Sequence, residues 1–332
     1  MEISPRIGER TPAPRANPAS LGPAVASRTE QLEGLRELIA RHARLGETTA
    51  IDGVLLSAVE QVGEPAATRS GTMLAVIVQG AKRLAIGDRV YDYGPGQYLV
   101  ASVDLPVTGH FTCASPAEPA LGFGLVLRPA VVASLILAAG DASDWNVPRH
   151  DSAGAAPPAL GVADAPVELL DAIARMVRLL DASAADRAVL APMLEREILW
   201  RVITGPLGAS LSEHGLADSN LARISRAVSW ITDRYSEGFR VEDLARECGM
   251  STSAFYRSFQ AVTALSPIQF QKQVRLQASR LMLLSSGEDV ATVGYRVGYE
   301  SASQFSREYR REFGLPPGQD AARLRMDRDS MT

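Results

Sequence analysis

The sequence predicts an α+β chain of two unlike parts, a β sandwich or small barrel flanked by helices and then an all-α region built from two helix-turn-helix units. Between about residues 50 and 127, short runs rich in Val, Ile, Leu and Tyr are cut by Gly, Pro and Asp roughly every 8–12 residues, the spacing of a sandwich or barrel. From Leu221 onward the apolar pattern is almost wholly helical. That helical region also repeats: VEDLARECGMSTSAFYRSFQAVTALSP (Val241 to Pro267) lies over VATVGYRVGYESASQFSREYRREFGLPP (Val290 to Pro317) at an offset of 49, becoming 50 after one added residue.

At 332 residues the chain suits two domains, each with its own core. Apolar content of 46%, charged content of 22% and the lack of any long uncharged apolar run give a globular chain with no membrane span. Two distant cysteines, Cys113 and Cys248, form no CxxC or zinc-like spacing, which fits a reducing cytoplasm. Cys113 reads as a small buried hydrophobe rather than a redox sensor, and Cys248, whose repeat partner is Val297, as a core residue. The net charge of −4 is uneven: from Asp218 onward there are 16 Lys and Arg against 14 Asp and Glu, leaving 18 against 24 before it. So small a positive excess does not itself point to nucleic acid; the placement of the charges decides.

Along the chain, residues 1–28 read as a disordered tail rich in Pro, Ala and Arg, without the apolar core of a signal peptide. An amphipathic helix follows over Arg28 to Ala43, with Leu32, Leu35, Leu38 and Ile39 on one face. In VQGAKRLAIGDRVYDYGPGQYLV, successive hairpins are predicted with bends at Gly80, Gly87 and Gly94-Pro95-Gly96. DSAGAAPPALGVADAP reads as a linker, and the next 39 residues, from Val167 to Gly205, as a helical pair broken between Asp181 and Asp186. In LEREILWRVI, residues Glu195, Arg196, Glu197 and Arg201 form the polar flank of a helix whose apolar residues Leu194, Ile198, Leu199 and Ile203 are expected to meet a partner subunit.

In each repeat copy a short helix leads through a glycine, Gly249 or Gly298, suited to the positive φ of a tight turn, into a second helix with a small polar start. Ser301 and Gln304 match a capping box. Phe305, Tyr309 and Phe313 must face inward, so Ala302, Ser303, Ser306, Arg307 and Arg310 face out, with Arg311 beside them. In the first copy Phe255 and Phe259 face inward while Ser251, Thr252, Ser253, Tyr256 and Arg257 take the outer positions. Small residues in the first turns suit close entry into a major groove, Arg307 suits guanine, and Arg310 and Arg311 suit phosphate.

The stretch VGYESASQFSREYRREFGLPP, with the joining helix SPIQFQKQVRLQASRLMLLSSG opened by Ser266 and Pro267, resembles the AraC/XylS-type transcriptional regulators over roughly Leu221 to Arg325. The resemblance implies two helix-turn-helix units joined by a long helix, with recognition helices in successive major-groove faces about 34 Å apart on double-stranded promoter DNA. Where the family often has a larger side chain, this chain has Ser253, which implies fewer base contacts from the first unit. Upstream, VQGAKRLAIGDRVYDYGPGQYLVASVDLPVTG and the following helices resemble members with a cupin-like sensing barrel and a dimerisation element.

The expected organisation is thus a tail over 1–28, a cupin-like sensing and dimerisation domain over 29–206 (barrel about 48–130, helices about 165–204), a linker over 207–219 and a tandem helix-turn-helix domain over 220–326. Tyr91, Tyr98 and His110 are the candidate effector-binding residues. Of His42, His110, His150 and His214, only His110 falls in a predicted strand, so no facial metal triad, cofactor or catalytic residue is expected. The predicted function is a cytoplasmic, sequence-specific DNA-binding regulator, a homodimer whose barrel answers a small molecule by biasing DNA binding or contact with RNA polymerase. The competing readings are a metal-dependent cupin enzyme with a regulatory DNA-binding tail, and a protein that uses the repeats for protein partners only.

Overall fold

The computed structural model describes residues 23–43, 48–140, 157–215, 219–285 and 288–329. Most of the expected tail, and His150, lie outside them. The rest of that tail is the start of helix α1 (Pro23–His42), whose Leu35, Leu38 and Ile39 are buried as their spacing requires.

Among the described residues nine strands follow: β1 (Val54–Val59), β2 (Ala66–Arg69), β3 (Met73–Gln79), β4 (Ala81–Ile86), β5 (Arg89–Tyr93), β6 (Gln97–Ala101), β7 (Pro106–Cys113), β8 (Ala120–Val126) and β9 (Leu160–Asp164). They form two antiparallel sheets, ordered β1-β8-β3-β6-β9 and β2-β7-β4-β5, stacked as an open sandwich and not closed into a barrel. Only the Gly87 bend makes a local hairpin, β4 with β5. At Gly80 and at Gly94-Pro95-Gly96 the chain instead crosses between sheets, because β3 pairs with β6 and β8. β9 corrects the linker reading: Leu160 to Asp164 adds an edge strand to β6.

Strand alternation divides the larger sheet cleanly. Leu74, Val76, Tyr98, Val100, Leu121, Phe123 and Leu125 face a helical layer, whereas Ile77, Leu99 and Ala101 face the smaller sheet. That layer contains α1, α2 (Pro129–Gly140), α3 (Val167–Arg178), α4 (Ala184–Ile203) and α5 (Gly208–Gly215), and α5 occupies most of the stretch expected as a linker. A turn at Leu179–Asp181 separates α3 from α4, and Ser183 caps α4 by accepting from the Asp186 amide at 3.1 Å. Arg175 on α3 holds Glu197 on α4 through two bonds of 2.6 and 2.9 Å.

Two expectations for this half are corrected. Leu194, Ile198, Leu199 and Ile203 pack into this chain's own core, because α4 turns that face onto α3; the large apolar residues it leaves exposed are Val189, Leu190 and Met193. Cys113 is exposed at the end of β7, in register with Ala81 of β4 but beyond the last residue paired with β2, while Cys248 is buried.

The C-terminal helices are α6 (Asn220–Asp233), α7 (Val241–Glu247), α8 (Thr252–Thr263), α9 (Pro267–Ser285), α10 (Val290–Arg296), α11 (Ala302–Phe313) and α12 (Pro317–Asp329). The aligned pairs Ser266-Pro267 and Pro316-Pro317 both open a helix. The core between the sheets continues into this region: Ile86, Leu105 and Val107 belong to one cluster with Leu221, Ile224, Phe255, Phe259 and Phe270. Around α11 a separate core contains Val293, Val297, Phe305 and Tyr309. Beside it the fully buried Asp320 of α12 accepts from Arg280 of α9 at 2.8 and 3.1 Å and from the Tyr309 hydroxyl at 2.8 Å.

Removing one member of a buried pair strands the other charge, so Asp320→Ala is expected to cost about 3–5 kcal/mol of stability. Tyr309→Phe, which deletes one hydrogen bond, is expected to cost about 1 kcal/mol. Chemical denaturation of the two variants checks this ranking; equal losses would remove the ion pair from the account.

Candidate DNA-binding surface

Both turn glycines have the predicted backbone, Gly249 with φ +66° and Gly298 with φ +94°. Gly298 is constrained twice over, because a Cβ there would lie 2.2 Å from the Ser236 carbonyl oxygen. Each second helix is N-capped by serine: Ser251 accepts from the Ala254 amide at 3.3 Å and Ser301 from the Gln304 amide at 3.4 Å. The capping box is only half made. Gln304 turns its side chain to Glu308 at 3.3 Å instead of reaching back.

The inward stripes are as spaced. Phe255, Phe259, Phe305 and Tyr309 are fully buried, and Phe313 is half-buried with its ring 4.5 Å from that of Tyr309 and 4.6 Å from the Arg280 guanidinium. Opposite them, Ser253, Tyr256 and Arg257 on α8 and Ser303, Arg307, Arg310 and Arg311 on α11 are exposed; Thr252, Ala302 and Ser306 are half-buried beside them. Arg257, Arg307 and Arg310 make no hydrogen bond or ion pair with other described residues. Arg311 sits where its charge is felt by Tyr299 and Glu312.

The residues that aim these helices were not found from sequence. Arg275, in the middle of α9, donates to the carbonyls of Tyr235 (2.6 Å), Ser236 (3.3 Å) and Glu237 (3.1 Å) after α6, and to that of Gly298 (2.8 Å) in the turn before α11. Burial lowers its pKa from the ordinary arginine value, and the charges of Tyr299, Glu308 and Glu300 act against that. Gln271, one turn earlier, donates to the same loop at 3.1 and 2.6 Å. On α11, Glu308 accepts from Lys272 of α9 at 3.1 Å and from the Tyr299 hydroxyl at 3.0 Å. Burial opposes ionisation of Glu308, but the bonds from Gln304, Lys272 and Tyr299 outweigh it and leave its pKa below the usual carboxylate range.

The three candidate effector residues do not meet. Tyr98 faces the helical layer, 1% exposed, and burial raises its pKa to about 12. Tyr91 is in register with Leu84 on the inner face of the smaller sheet, while His110 is in register with Arg83 on the outer face, beside the Arg83–Asp92 ion pair at 2.6 Å. Between the sheets is a cavity of about 190 Å³ lined by Tyr93, Phe111, Ser57 and Lys82, with the Lys82 ammonium 5.1 Å from the centre of the Phe111 ring. No strand register was available to separate these faces from sequence alone.

An open sandwich followed by two helix-turn-helix units on one long helix is the architecture of a two-part DNA-binding regulator. The model for the AraC-type transcriptional regulator N-terminus matches residues 50–210, and a helix-turn-helix domain model matches residues 244–323. The chain belongs to the AraC-type family of transcriptional regulators. It is 28% identical over 149 residues to the HTH-type transcriptional activator RhaS of Citrobacter koseri, a match covering 45% of this chain and 52% of that protein. Against RhaS of Klebsiella pneumoniae it is 31% identical over 123 residues, covering 37% and 44%. The chain thus spans about half the length of the curated relatives it matches. ToxT from Vibrio cholerae shares the fold, with a TM-score of 0.50 at 11% identity over 81% of this chain and 97% of that one. These comparisons point to the regulator reading and not to the enzyme alternative.

If Arg275 sets the spacing of the two units, Arg275→Met weakens binding to a two-part DNA site by tenfold or more, about 1.4 kcal/mol. Binding to a half-site is expected to change little. Titrations of both DNAs read the difference, and an equal loss on both would make Arg275 a general folding residue.

Proposed function

We propose that this chain is a cytoplasmic, sequence-specific transcriptional regulator that binds promoter DNA through α8 and α11 under the control of a small molecule bound in its N-terminal part. The observation that carries the reading is that both recognition helices bury their aromatic stripes and present small polar first turns with unengaged arginines, while α9 ties them together. On α11, Ser301, Ala302, Ser303 and Ser306 allow close approach, and the guanidinium fork of Arg307 suits the two acceptors of guanine. Gln304 takes part once DNA competes for its amide. Arg310 and Arg311 serve phosphates. On α8, Ser251, Thr252, Ser253, Tyr256 and Arg257 form the smaller reading surface.

The β part reaches α8 at its far end. Arg89 donates to the Ala261 carbonyl and the Ala159 amide to the Val262 carbonyl, both at 3.1 Å. A ligand that shifts the sandwich therefore tilts α8, which biases DNA binding or contact with RNA polymerase. The exposed Val189, Leu190 and Met193 of α4 support a homodimer. The reading makes the protein a regulator and no enzyme; stoichiometric iron, manganese or nickel in the purified protein would favour the metal-dependent alternative.

A gel shift on DNA flanking its own gene at low salt is expected to show specific binding, and failure there would sink the reading. Arg307→Ala is expected to cost about 1–3 kcal/mol on cognate DNA and to relax one base position. Arg311→Ala is expected to weaken all sequences alike and to lower the salt slope by about one. Equal loss on cognate and random DNA for Arg307→Ala would exclude base reading.

A further inference from the structure

We propose that the cleft between α4 and the β1–β8 end of the larger sheet binds a small, uncharged, hydroxyl-bearing apolar molecule. The cleft holds about 490 Å³, within the roughly 300–1,000 Å³ of small-molecule sites, whereas the cavity between the sheets holds about 190 Å³. Its walls are mainly apolar, from Ile51, Val54, Leu125, Met176 and Pro192. Among them sits Glu195, 5% exposed, whose Oε1 has no hydrogen-bond partner even though Arg128 Nε lies 3.2 Å away. A buried polar oxygen without a bond is costly, and a ligand donor removes that cost.

The surrounding charges select the kind of donor. Arg128 already balances the Glu195 carboxylate and also donates to the Asp52 carbonyl at 3.2 Å. Arg187 donates to the Ala182 carbonyl at 2.5 Å and Arg196 to the Ser134 hydroxyl at 2.7 Å, so both are engaged by the protein itself. With Arg128, Arg187 and Arg196 set against Asp52 and Glu195, the lining carries a net positive charge that disfavours an ammonium. A carboxylate would have to lie against Glu195. A hydroxyl does neither: it donates to Oε1 and accepts from a neighbouring guanidinium. Burial also pushes the Glu195 carboxyl pKa up, with the Arg128 charge acting against it, as for an acid in an apolar pocket that lacks full solvation.

The inference rests on the sensing reading for its biological meaning, but the binding is measured without DNA. Calorimetry on the full chain near neutral pH compares naphthalenemethanol with the carboxylate and the amine of the same ring system. The alcohol is expected to bind at least tenfold more tightly than either. Two variants localise it: Glu195→Met removes the acceptor at similar volume, and Ala188→Trp fills the cleft from an exposed position of α4. Each is expected to weaken the alcohol tenfold or more; should Glu195→Met fail to fold, Ala188→Trp decides. No binding of the alcohol to the unaltered chain, equal binding of the carboxylate, or unchanged affinity in Ala188→Trp overturns the site. Binding lost in the variants, with no effect of the bound alcohol on DNA affinity, upholds the site and removes the sensing reading instead.

Discussion

The guanidinium of Arg275 is the interaction on which the helical region depends. Helices end with carbonyls that have no partner in their own ladder, and the chain leaving α6 exposes three in a row at Tyr235, Ser236 and Glu237. A positive planar group with five donors is suited to collect them. Because Arg275 also reaches the Gly298 carbonyl, the loop that leads from α6 into the first unit and the turn of the second share one side chain. This explains the second glycine physically: a side chain at position 298 would collide with both the Ser236 carbonyl and the Arg275 guanidinium.

The two units are held differently. The first is continuous with the sandwich through one apolar core, to which Phe255, Phe259 and Phe270 each add about 1.5–3 kcal/mol of burial. The second has its own smaller core and reaches the β part through polar contacts. Gln277 of α9 donates to the Thr68 and Val107 carbonyls at 3.2 and 3.4 Å, and Arg323 of α12 pairs with Glu64. Exposed pairs of that kind contribute little and yield readily. A displacement of the sandwich therefore reaches α8 directly and α11 only through α9 and α12.

What was legible in the sequence follows from the range of the signal. The inward stripes, the serine caps, the positive-φ glycines and the repeat are set by spacings of a few residues, or by comparison of one segment with its copy. The sheet pairing was not, since β9 joins β6 across some sixty residues and DSAGAAPPALGVADAP has the composition of a linker. Nor were the faces of Tyr91, Tyr98 and His110, for alternation says that neighbours oppose each other but not which side meets the core. The amphipathic pattern of α4 showed an apolar face without showing whose core it enters. Arg275, Asp320 and Glu195 look like any polar residues on a helix until the partners that surround them are in place.

These constraints separate two duties that a duplicated unit would otherwise share. On α8 the last turn is held by Arg89 and Ala159, and the reading end carries Ser253 where a larger side chain would probe deeper. On α11 Ser303, Arg307, Arg310 and Arg311 are exposed, and Glu308, fixed by Lys272 and Tyr299, sets its rotation about its own axis. On the proposed function α8, whose last turn the sandwich grips, carries the response together with the smaller reading surface, and base contacts, which tolerate errors of only a few tenths of an ångström, fall mainly to α11.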